Sequence, residues 1–121
     1  HFQLQTTRVR IHRQLPGQEI PLHTDGNNTA VKDKNDYMIR SITALTASKD
    51  FTYKFIDTEK KRRVQWLKQG ETIFFDPDLV AHGMSNESKT ETRYALVQIF
   101  KLYPVTAWAR DFISTEKVVT I

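Results

Sequence analysis

Alternation of apolar and polar positions dominates this chain. Phe2 and Leu4 fall on even positions while Val9 and Ile11 fall on odd ones, so an N-terminal strand must break or bulge near Thr6 and Thr7. Leu15-Pro16-Gly17-Gln18 carries the residue types of a tight turn. Strand patterns then recur at 37–45, 51–56, 63–67, 72–75 and 93–102, with Phe51, Tyr53 and Phe55 on one face of the second. Turn residues bound each of them, notably Ser48-Lys49-Asp50, Gln69-Gly70, Asp76-Pro77-Asp78 and Ser85-Asn86-Glu87-Ser88. Only 105–113, with Trp108 and Phe112 four apart, has helical spacing. Many short strands and one terminal helix predict an all-β fold, a sandwich or barrel of the jelly-roll kind.

Composition narrows the possibilities. At 121 residues, 39% apolar and 26% charged, with seven Phe, four Tyr and two Trp, the chain is expected to form a single domain over 1–121. It begins with His1, so it is expected to lack its natural N-terminus. No apolar run is long enough for a membrane span or a signal peptide, which predicts a cytoplasmic setting with no membrane partner. Zero Cys excludes disulfides, thiolate metal sites and Cys nucleophiles, leaving His, Asp and Glu as candidate metal ligands. The net charge of +4 equals that of the run Lys60-Lys61-Arg62-Arg63. No interleaved aromatics accompany this run, so it reads as a solvated hairpin end and nucleic acid is not expected as a partner.

The chemistry concentrates in four residues. His23 and Asp25 are two apart, so on an extended segment both project to one face. His82 follows the apolar strand 72–75 and ends a buried element, whereas His1 and His12 read as solvent-exposed. Two His and one Asp can hold Fe(II) while leaving coordination positions open for a cosubstrate and dioxygen. The alternative is that His82 is a histidine satisfied at a barrel mouth. Arg93, eleven residues on, heads a face shared with Ala95, Val97 and Ile99. An inward Arg is costly unless a fixed anion meets it, and a dicarboxylate with its other end on the metal supplies one.

With these residues the chain resembles the iron(II)- and 2-oxoglutarate-dependent dioxygenases, whose pattern is His-x-Asp, a distant His, and an Arg or Lys about ten residues later. The stretch Gly70-Glu71-Thr72-Ile73-Phe74-Phe75-Asp76 with His82, Asn86, Ser88 and Arg93 is similar to the aspartyl/asparaginyl hydroxylase group, and Thr92-Arg93-Tyr94-Ala95 to prolyl hydroxylases. The resemblance implies a double-stranded β-helix with iron on His23, Asp25 and His82 and 2-oxoglutarate on Arg93. It implies hydroxylation of a C–H bond in an amino acid or protein side chain, with a small-molecule or peptide substrate and dioxygen as partners. Arg40 stands where that group often has a second cosubstrate-binding Arg, although its strand is apolar on both faces and leaves a surface position open. Trp66 reads as a core aromatic and Trp108 as the anchor of the terminal helix. The polar stretch 26–36 is suited to a lid or to a plain connection. Two other readings are an AlkB-like nucleic-acid demethylase and a non-enzymatic jelly-roll binding module.

Overall fold

The computed structural model describes residues 3–25, 37–57, 59–103 and 118–120. Nine strands form in order: β1 (Gln3–Gln14), β2 (Glu19–His23), β3 (Tyr37–Ala44), β4 (Phe51–Ile56), β5 (Arg62–Gln65), β6 (Thr72–Phe75), β7 (Ala81–Asn86), β8 (Arg93–Tyr103) and β9 (Val118–Thr120). They pair antiparallel into a five-stranded sheet, β1-β8-β3-β6-β9, and a four-stranded sheet, β2-β7-β4-β5. This is an all-β jelly roll, and no helix occurs among the described residues. The helix expected at 105–113, the stretch 26–36, His1 and Trp108 lie outside them.

Local chemistry sets the elements. The register of β1 against β8 shifts between Thr6 and Arg8, where the change of apolar parity requires a bulge. After β1 the Gln18 N–H donates to the Leu15 carbonyl at 3.0 Å, with Pro16 fixing the first central φ and Gly17 supplying a φ of 79° at the second. At the tip of the β4–β5 hairpin the Asp57 carboxylate accepts from the N–H groups of Glu59 and Lys61. Arg63 pairs with the same side chain at 3.6 Å, so the basic run is a hairpin end.

Between the sheets, Ile42, Ala44, Ile73, Phe75, Ala95 and Val97 from one face Tyr53, Phe55 and Met84 from the other. Phe55 meets Phe75 edge-on at 5.3 Å. Two expectations are corrected. Trp66 is not a core aromatic: it is 54% exposed and donates its indole N–H to the Lys49 carbonyl at 2.9 Å. On β1 the apolar residues face out, Val9 at 55% and Ile11 at 65% exposure, while Gln14 is buried and His12 half-buried. The inner face of β1 therefore carries Arg8, Arg10, His12 and Gln14, opposite Ile99, Val97, Ala95 and Arg93 of β8.

Candidate metal centre

His82 lies on β7 with His23 of β2 paired on one side and Phe55 of β4 on the other. Three β2 residues span the distance that two cover on β7, because the register shifts between Ile20 and His23. That bulge re-aims β2 so that Ile20 and His23, an odd number of residues apart, both reach the interior. Gly83 makes room for it: a Cβ there would sit 2.7 Å from the Ile20 carbonyl oxygen and 3.1 Å from the Leu22 nitrogen. Asp25 follows β2 and is fixed by its backbone N–H donating to the Pro77 carbonyl at 2.9 Å. The turn carrying Pro77 is held in turn by Asp76, whose carboxylate accepts from the N–H groups of Asp78 and Leu79.

The two imidazoles are oriented alike. His23 Nδ1–H donates to the Pro21 carbonyl and His82 Nδ1–H to the Val80 carbonyl, each at 2.9 Å. A carbonyl only accepts, so each Nδ1 carries a proton, and in the neutral form of either ring Nε2 presents a lone pair. Burial pushes the His82 imidazole down to about 4 against the opposing pull of the Val80 carbonyl and Asp25, so the ring is neutral at neutral pH. Both Nε2 atoms converge on Asp25 Oδ1, at 3.3 Å from His23 and 3.5 Å from His82, and one ligand atom from each residue lies within 4.8 Å of the others. With both rings neutral, three acceptors face one another, an arrangement that calls for a cation among them, whether a metal ion or the Arg40 guanidinium. Separations of 3.3 and 3.5 Å are within the reach of two ligand bonds of about 2.1 Å to one shared ion. The centre opens on the His23 side, whose side chain is 42% exposed against 12% for Asp25 and 6% for His82.

Arg40 also reaches this point. It is buried on β3, paired with Ile99 and Phe75, and crosses from the opposite sheet. Its Nη1 donates to His82 Nε2 at 3.0 Å and its Nη2 pairs with Asp25 Oδ2 at 2.5 Å. Burial lowers its affinity for the proton and Asp25 raises it, and the guanidinium remains cationic. One guanidinium therefore engages lone pairs of the kind a metal ion takes. The interior position settles the open reading of Arg40: it is not a surface cation.

Arg93 is placed differently. It is fully buried at the deep end, its Nη1 donating to the carbonyls of Thr52 at 2.8 Å and Ser85 at 2.9 Å. Its guanidinium carbon lies 3.9 Å from the centre of the Tyr53 ring and 5.6 Å from that of Phe51. Burial lowers its proton affinity and Tyr53 offsets part of that. Carbonyls and rings thus meet part of the demand that sequence reasoning assigned wholly to an anion, while Nε and Nη2 have no hydrogen-bond partner.

A cavity of about 130 Å³ adjoins the centre, lined by His23, His82, Arg40, Arg10, His12 and Met84 among others, and Arg93 does not line it. Arg10 and His12 escaped sequence reasoning, which put His12 in solvent. The available signal was that 8, 10, 12 and 14 form one uninterrupted polar face, a pattern equally suited to lining a wet interior.

No protein-family model matches the chain, and no curated protein matches it by sequence. Among solved structures it is similar to the non-heme monooxygenase ThoJ, in a nickel complex, with a TM-score of 0.63 and 13% identity over 85% of this chain and 47% of that one. The chain thus spans about half the length of that protein. It is also similar to a cupin domain from Bordetella pertussis, at a TM-score of 0.49 and 18% identity over 83% of this chain and 92% of that one. At such identities the likeness to the monooxygenase concerns the fold. Fold and donor set together define the class: a jelly roll with a candidate two-histidine, one-carboxylate metal centre between its sheets.

Proposed function

We propose that the chain is a non-haem, metal-dependent oxygenase in which His23, Asp25 and His82 hold iron(II) and 2-oxoglutarate is the cosubstrate. The observation that carries this reading is the facing of three acceptor atoms, two of them Nε2 lone pairs fixed by Nδ1–H bonds to backbone carbonyls. Two imidazoles and one carboxylate suit iron(II) and leave positions open for a cosubstrate and dioxygen. Bound there, the metal supplies the redox chemistry that couples decarboxylation of 2-oxoglutarate, giving succinate and carbon dioxide, to hydroxylation of a substrate C–H bond.

The chain's own residues would divide the remaining work. The Pro21 and Val80 carbonyls hold the two rings in the ligating tautomer. Arg40 holds lone pairs of His82 and Asp25 that a bound cation would also take. Arg93 offers Nε and Nη2, two donors in fork geometry that one carboxylate satisfies together.

Succinate release tests the reading. With Fe(II), 2-oxoglutarate and a panel of free amino acids and peptides, the wild-type chain should release succinate and Asp25→Ala and His82→Ala should not. Equal release from either variant would refute the ligand assignment. Arg93→Ala should raise the 2-oxoglutarate requirement about tenfold or more, and an unchanged requirement would remove Arg93 from the cosubstrate site.

A further inference from the structure

The inner face of β1 is a run of bases with little acid to meet it. Arg8, Arg10 and His12 point to the interior side of the five-stranded sheet, across from Ile99, Val97 and Ala95 of β8, and Arg40 stands one strand further on. Arg10, His12 and Arg40 line the cavity beside the metal centre. Among the described residues Asp25 is the one acid at this point, and it is engaged by Arg40. Among the described residues Arg10 has no ion pair, and the buried Nε of Arg40 has no hydrogen-bond partner. A divalent ion on the triad adds positive charge to a wall that already has a surplus.

We infer that Arg10, flanked by His12 and Arg40, is an anion seat, and that the substrate of this cavity is a small carboxylate whose acid group Arg10 binds. A planar guanidinium with an open edge takes a carboxylate through two parallel bonds. Size restricts the ligand, because a cavity of about 130 Å³ is close to one that admits a benzene-sized molecule, about 150 Å³. The surroundings of His12 agree. Burial pushes its imidazole below the usual range, and the charges that push it further down are all guanidiniums: Arg10, Arg93 and Arg40. A neutral imidazole there can donate a hydrogen bond to an anion without adding to the charge.

The inference rests on the oxygenase reading only for the role of the bound anion as substrate, since the seat needs no metal. This makes the two separable. Malonate and its neutral counterpart malonamide would be titrated calorimetrically into the metal-free full chain, wild type and the variants Arg10→Gln, Arg10→Lys and Arg93→Gln. Mn(II) would be titrated into the wild type and Arg10→Gln. Malonate should bind about tenfold or more tightly than malonamide, Arg10→Gln should lose about tenfold or more, and Arg10→Lys should retain part of the affinity. Mn(II) affinity should not weaken in Arg10→Gln. Because Arg10 is exposed, its replacement should leave the thermal midpoint in place. Equal binding of malonate and malonamide, or malonate binding untouched by Arg10→Gln but lost in Arg93→Gln, would overturn the seat. A wild-type chain that binds malonate but not Mn(II) would sustain the seat and refute the metal centre.

Discussion

Asp25 is the residue on which most of the interior charge turns. It faces the lone pairs of His23 and His82 and also balances the cation of Arg40. Asp25→Asn should therefore lower metal affinity by about 100-fold or more and also destabilise the metal-free protein by about 3 kcal/mol, because it leaves Arg40 buried and unpaired. Chelator competition and urea denaturation measure the two effects, and an unchanged metal-free midpoint would contradict the pairing. His82 adds a pH dependence. Its imidazole is held near 4 in the fold, against 6.5 without it, among His23, Asp25 and Arg40. The unfolded chain binds the extra proton first, so stability is complete above about pH 6.5 and is lost as pH falls towards 4. Denaturation of the metal-free protein across that window should show the loss, and His82→Gln should flatten it. His23, Asp25 and His82 were legible in the sequence because residue type and spacing suffice to propose ligands. The inward turn of Arg10 and His12 was not, since a polar face on a strand has the same pattern whether it meets bulk water or an internal cavity.

β2 and β7 are the elements that make the centre, and they were the least visible ones. The strands at 51–56 and 72–75 agree with β4 and β6 because Phe51, Tyr53 and Phe55 alternate along the first and Ile73 and Phe75 along the second, each set burying one face. β7 reads Ala-His-Gly-Met-Ser-Asn, with neither alternation nor β-branched residues, and its second half passes for the start of a turn. Five of its six residues are nonetheless buried, because it lies between β2 and β4 in the middle of the smaller sheet. Gly83 is the point at which β2 and β7 depend on each other. Gly83→Ala should push β2 outward, cost about 1–3 kcal/mol, and weaken metal binding more than the equally small change Ser85→Ala does. Equal metal affinities in the two variants, measured by Mn(II) titration, would show that the close approach of β2 does not position His23.

For the whole molecule, the all-β jelly roll was legible because short alternating strands punctuated by turns leave few other architectures. Strand order was not, because the pairing of β1 with β8, and of β2 with β7, joins segments far apart in sequence whose patterns do not identify each other. The assignment of His12 to solvent failed for a related reason: hydrophobic parity marks two faces and does not say which one the second sheet covers. The molecule's layers follow from the register actually formed. The triad lies at one level with Arg40, the apolar layer of Ile42, Val97, Tyr53 and Met84 lies beneath, and Arg93 closes the far end. The separation of metal ligands from Arg93 is a property of that register.

The most direct measurement is a crystal of the chain soaked in Mn(II), with the anomalous difference map calculated at a wavelength where manganese scatters. The metal-centre account predicts one dominant peak per chain, about 2.1 Å from His23 Nε2, His82 Nε2 and an Asp25 carboxylate oxygen, with Arg40 withdrawn from His82. A map with no peak there, and Arg40 still bonded to His82 and Asp25 at saturating Mn(II), would contradict it.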